Sequence, residues 1–162
     1  MLARLRCFLL FQVWLAWQGG FFFYAAVVVP VGTDMLGSAA QGFVTQEVTR
    51  WLNVFGAVFH LLLAWTLAVE RGAPHWRLRV GIGATSAAML VALFALHPVL
   101  DSFLDPIGQT VDRPKVFYRW HNAYLWISTV QWLLALAMAW LWVGAWRWSS
   151  DRAGVVSESR LN

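Results

Sequence analysis

Apolar residues along this chain do not alternate with polar ones. They gather into four long runs, separated by short stretches rich in proline, glycine and charge. The runs extend from about Cys7 to Val31, Thr45 to Val69, Leu78 to Leu100 and Val116 to Trp146. A hydrocarbon layer about 30 Å thick needs roughly 20 apolar residues per helix at 1.5 Å of rise each. Each run meets that length, so the pattern predicts an all-α, polytopic integral membrane four-helix bundle. The four spans fill residues 1–150 as a single domain, and the polar residues 151–162 read as a frayed tail. A membrane β-barrel needs alternation over segments of about ten residues, which these runs lack.

Local chemistry suggests where the runs stop. Pro30, Gly32 and Asp34 are expected to end the first span, because proline cannot donate to a helical ladder and Gly and Asp favour turns. Thr45 is the expected N-cap of the second span, with Glu47 in its first turn. Arg71, Gly72 and Pro74 are expected to stop that span. Pro98 lies near the end of the third span, Pro106 in the loop beyond it, and Pro114 ahead of the fourth span. The residues between the first two spans, GTDMLGSAAQGFV, and those after the third, DSFLDPIGQTVDRPK, are expected to be solvated loops. Arg4 and Arg6 before an apolar run resemble a secretory signal. The run is long and no clear A-x-A site follows, so it is expected to be an uncleaved span.

Composition agrees with this layout. Of 162 residues, 60% are hydrophobic and 12% charged. Soluble domains average about 45–50% apolar and about 25% charged residues. Too little charge remains to coat a small soluble globule, and the hydrophobicity excludes intrinsic disorder. A single cysteine, Cys7, excludes an intramolecular disulfide and a cysteine-based zinc cluster. The net charge of +4 points to loops beside anionic lipid rather than to nucleic acid. With four spans both termini share a side. That side carries Arg4, Arg6, Arg71, Arg77, Arg79, Arg147, Arg152 and Arg160, against Arg50, Arg113, Lys115 and Arg119 on the other. The excess of cations predicts cytoplasmic termini.

Candidate chemistry sits inside the spans. Polar side chains at membrane depth usually face the bundle interior and seek partners. Asn53, Gly56, His60 and Ala64 share one helical face of the second span; His121, Tyr124, Ser128 and Gln131 share one of the fourth. Together they suggest a polar seam built on Asn53, His60, Ser128 and Gln131. Gln12 and Gln18 stand alone on the first span. Ala84, Ala88, Ala92 and Ala95 form a small-residue stripe on the third, which would let a neighbour helix approach closely. The aromatics Trp14, Trp17, Phe21, Phe22, Phe23 and Tyr24 are expected to face lipid. Trp140, Trp142, Trp146 and Trp148 fit an interfacial belt.

Several readings of the seam compete. His60 and His121 would be an axial pair for haem, as in membrane cytochromes, although their depths differ by about 7 Å at 1.5 Å per residue. His97, Asp101 and His121, with Asp105 or Glu47, would suit a divalent metal such as zinc or copper. His60 would serve a proton or substrate path. The plainest reading is interhelical hydrogen bonding. His75, in the loop between the second and third spans, reads as solvated. No phosphate loop, H-E-x-x-H motif or Ser-His-Asp spacing appears, so no catalytic residue is assigned.

Two blocks, GGFFFYAAVVVPV at Gly19–Val31 and FYRWHNAYLWIST at Phe117–Thr129, resemble a family of small four-span membrane proteins of unknown function typified by transmembrane protein 205. The resemblance implies a four-helix integral membrane protein and makes Arg119 and His121 family-pattern positions. It implies no agreed activity. The leading functional expectation is a scaffold, accessory subunit or modulator that is not itself an enzyme. It would sit in the lipid bilayer, as a homo-oligomer or within a larger membrane complex. The alternatives are a haem- or metal-binding redox protein and a small transporter or proton relay.

Overall fold

The structure, a computed structural model, describes the backbone of residues 1–105, 108 and 110–158, and side chains up to residue 144. Its helices are α1 (Leu2–Phe23), α2 (Val29–Leu36), α3 (Ser38–Val69), α4 (Trp76–Asp101) and α5 (Pro114–Glu158). A π-helical turn, Tyr24–Val28, joins α1 to α2 without a break in the rod. A two-stranded hairpin, β1 (Leu104–Asp105) and β2 (Thr110–Val111), lies between α4 and α5. It pairs Leu104 with Val111 and Asp105 with Thr110 in antiparallel register. Four helical rods, Leu2–Leu36, Ser38–Val69, Trp76–Asp101 and Pro114–Gly144, are long and apolar enough to cross a membrane. The fold is all-α.

The first rod does not end at Pro30. A proline inside an α-helix removes one hydrogen bond, and its ring meets the carbonyl four residues earlier, here that of Ala26. Ala26 lies within the π-turn, whose wider ladder relieves that clash and lets helix continue to Leu36. The reversal falls instead at Gly37, whose φ of +83° a residue with a Cβ rarely adopts. The stretch expected as a loop from Gly32 to Val44 is therefore helical on both sides of one residue. Thr45 lies inside α3 and is not its N-cap: its hydroxyl donates to the Gln41 carbonyl at 2.9 Å. Gly32 lets the two arms close, since a Cβ there would overlap the Gln41 carboxamide.

α3 ends as expected near Arg71. Its terminal carbonyls have no intrahelical donors, and the Trp76 indole supplies one to Leu67 O at 2.8 Å. Helix α4 then runs through Pro98 to Asp101. The segment expected as a tail from residue 151 is helical to Glu158. Residues 159–162 lie outside the described residues, as does Pro106, and so do the side chains of Trp146 and Trp148.

The rods pack as a closed ring in the order α1, α3, α4, α5. α1 closes on α5 through the Trp14 indole, which donates to Ala135 O at 3.2 Å, and through Phe22 stacked on Trp132. One apolar core, at the end bearing the N-terminus, contains Leu10, Trp17, Phe59, Leu63, Leu67, Ala135 and Met138. A second, towards the β-hairpin, contains Leu93, Leu100 and Tyr124. Large apolar side chains cover the outside, among them Phe8, Phe23, Leu61, Val91, Trp126 and Trp140. Lipid is as apolar as these side chains, so close packing and hydrogen bonds must hold such a bundle together.

Two sequence expectations about facing are corrected. The stripe of Ala84, Ala88 and Ala95 faces outwards, with Ala92 half-buried at its edge. The inward face of α4 is Arg79, Gly83, Ser86, Leu90 and Leu93, a helical spacing that starts at a charge. The aromatics of the first span also divide. Trp17 and Tyr24 are buried, while Phe22 and Phe23 face outwards. Trp17 packs on Phe59 with ring centroids 5.2 Å apart. Its indole lies against Gly56, where a Cβ would come within 3.1 Å of it.

Candidate functional site

The seam has three tiers. At the hairpin end, the Tyr24 hydroxyl donates to Thr45 Oγ1 at 2.8 Å and accepts from Gln41 Nε2 at 3.2 Å. Because Thr45 in turn donates to Gln41 O, the three residues form a closed circuit that pins the π-turn to α3. Farther along α3, Asn53 Nδ2 donates to the Tyr124 hydroxyl of α5 at 2.9 Å.

The central tier turns on Ser86 of α4. His60 Nδ1 lies 2.7 Å from Gly56 O, and a carbonyl only accepts, so Nδ1 carries the proton. In the neutral ring Nε2 then accepts from the Ser86 hydroxyl, 2.9 Å away. The Ser86 carbonyl accepts from Gln131 Nε2 of α5 at 3.2 Å. One small residue thereby joins α3, α4 and α5. Asn53 and Tyr124 join the second and fourth spans directly, while His60 and Gln131 are linked through the third. Sequence reading missed Ser86 because a lone serine in a span carries little signal; its i+7 spacing from Arg79 on the inward stripe was the available clue. Beside this tier, Gln18, Asn53, Ser128 and Gln131 line a cavity of about 20 Å³. By volume it has room for one water. Gln18 is buried, and neither atom of its carboxamide has a partner among the described residues.

The third tier was not expected. At the N-terminal end, the Glu70 carboxylate receives Arg6 Nη2 on Oε1 and Arg79 Nη2 on Oε2, both at 3.0 Å. Arg79 is 0% exposed and Arg6 8%. The Arg79 guanidinium also lies 5.9 Å from the centre of the Trp142 ring. Glu70 caps the C-terminus of α3, where the helix dipole disfavours an anion. Two guanidiniums offset that cost and tie α1, α3 and α4 at one point. Charge counting treated Arg6 and Arg79 as topology markers, which hid their pairing.

The residues considered for cofactors lie apart in their bonding. Both ring nitrogens of His60 have protein partners. His121, near the start of α5, stacks on Phe117 of its own helix at 5.6 Å and 14°. His97 Nε2 and Asp101 Oδ2 are 3.7 Å apart near the end of α4. Arg50 Nη2 also approaches that oxygen, at 3.9 Å. A guanidinium there competes with any cation for the carboxylate. Among the described residues, no three His, Cys, Asp or Glu side chains converge as a metal site.

Fold and seam together define an all-α bundle of four candidate membrane spans, tied internally by polar side chains. No protein-family model, curated protein or solved structure matches the chain significantly.

Proposed function

We propose that this chain is an integral membrane scaffold or accessory subunit, with both termini in the cytoplasm. One observation carries the reading: Asn53, His60 and Gln131 are engaged in joining helices. His60, the deepest histidine, has both nitrogens bonded within the bundle. Asn53 and Gln131 each cross to another helix. Groups used in this way hold shape rather than bind a ligand. The wide apolar exterior supports residence in lipid, and the cation excess at the end shared by the termini supports their cytoplasmic placement.

The test is spectroscopic and elemental. Protein purified from membranes in mild detergent should show no Soret band and no stoichiometric zinc or copper. His60→Leu should leave its assembly state intact. A Soret band abolished by both His60→Ala and His121→Ala would overturn the reading in favour of a redox protein. Cysteine labelling of each terminus in intact cells and in inverted vesicles tests the topology, and labelling from outside would reverse it.

A further inference from the structure

A groove of about 380 Å³ opens on the outer surface between α3 and α4. That volume lies within the range of small-molecule sites, about 300–1,000 Å³. Its walls are Leu63, Leu67, Val80 and Gly83 with the small residues Ala64, Ala68, Ala84 and Ala87. His60 lies at its deep end, Arg71 and Trp76 at its mouth.

Depth and charge together select an occupant. From His60 to Val69, where α3 ends, is nine residues, about 14 Å along the groove at 1.5 Å per residue, and Arg71 lies just beyond. Half of a hydrocarbon core about 30 Å thick is about 15 Å, so the groove is one leaflet deep. Its mouth then lies at headgroup level. Trp76 suits that level, with an apolar ring body and an indole N–H already bonded to Leu67 O. Arg71 is exposed there, and among the described residues no carboxylate pairs with it. Glu70, its neighbour in sequence, is held by Arg6 and Arg79. The alanines lower the walls enough for a chain to lie against both helices.

We infer that this groove binds one acyl chain of an anionic glycerophospholipid, with the lipid phosphate on Arg71. The phosphate accepts hydrogen bonds from the guanidinium, and the chain covers the alanine walls. The site rests on the membrane reading above and adds a specific ligand to it.

The experiment uses the full chain in vesicles of equal phosphatidylglycerol and phosphatidylcholine, extracted in mild detergent, with retained lipid measured by native mass spectrometry. Retained phosphatidylglycerol should exceed phosphatidylcholine by about fivefold, the preference one interfacial cation supplies. Arg71→Gln, at an exposed position, should bring that ratio to about one while lipid of either kind is still held. Ala84→Phe, which fills the groove from an exposed position, should reduce retention of both lipids. Equal retention by the wild-type chain would overturn the inference, as would an unchanged ratio in Arg71→Gln or unchanged total lipid in Ala84→Phe. Release of the chain from membranes by alkaline carbonate alone would overturn the membrane reading itself; equal retention in a detergent-dependent protein would overturn only the lipid site.

Discussion

The two ends of this bundle are fastened by different chemistry. At the N-terminal end, Arg6, Glu70 and Arg79 form a charged knot joining three helices. Towards the hairpin end, the buried joining is done by neutral groups: Asn53 with Tyr124, and Tyr24 with Thr45 and Gln41, while the Arg50–Asp101 pair there is looser, at 3.9 Å, and partly exposed. Neutral hydrogen bonds between membrane helices are each worth about 0.6 kcal/mol on average, because the separated helices also find partners. A buried charge has no comparable substitute once its counter-charge is gone. The knot is therefore the place where one substitution should matter most, and the neutral tiers should yield in small steps.

Glu70→Gln should have the largest effect. It leaves the buried Arg6 and Arg79 guanidiniums without an anion, and a loss of about 3–5 kcal/mol is expected for breaking such a pair. Thermal unfolding in detergent measures it. If the loss is no greater than for a neutral pair, the contrast between the ends fails. Replacing Arg6, Glu70 and Arg79 together with apolar residues of similar size should recover most of that loss, because no uncompensated charge remains.

Gly56→Leu comes next. A side chain there enters space occupied by the Trp17 indole, and overpacking of that kind costs about 1–3 kcal/mol. Quenching or a spectral shift of Trp17 fluorescence, read against a Trp17→Phe background, would locate the disturbance. No change in either stability or emission would mean that α1 and α3 are not in contact at this level.

Asn53→Leu removes one neutral crossing and should cost about 0.6–1.7 kcal/mol. Glu70 and Asn53 are seventeen residues apart on one helix, about 25 Å at 1.5 Å per residue. Their effects should add within about 0.5 kcal/mol in the double variant. Strong coupling would show the two ends acting as one unit.

Ala88→Leu should have the smallest effect, within about 0.5 kcal/mol, because Ala88 faces outwards. A loss above about 1 kcal/mol would place that stripe at a helix contact after all.

What could be read from the chain follows how local each cause is. Span number is a matter of apolar run length, which neighbouring residues supply by themselves. The four runs accordingly coincide with four long helices. Helix ends were less legible. Pro30 normally signals a stop, and only the widened turn at Tyr24–Val28 removes the clash that would enforce one. Thr45 has the right chemistry for a cap, yet it serves a circuit with Tyr24 that needs α1 alongside. Inward faces were legible where polar residues recur at helical spacing, as at Tyr124, Ser128 and Gln131, all buried. The same reasoning misplaced the alanines, because small size suits close packing and an open groove equally.

Four long apolar helices follow from the runs alone, because backbone hydrogen bonding and side-chain hydropathy are settled within each run. Tertiary structure decided which polar groups meet. Ser86 links His60 to Gln131, and Glu70 gathers Arg6 and Arg79, only because α3, α4 and their neighbours cross at particular angles and heights. Partner choice depends on that geometry, and partners 26, 45 and 64 positions apart carry no local trace of it.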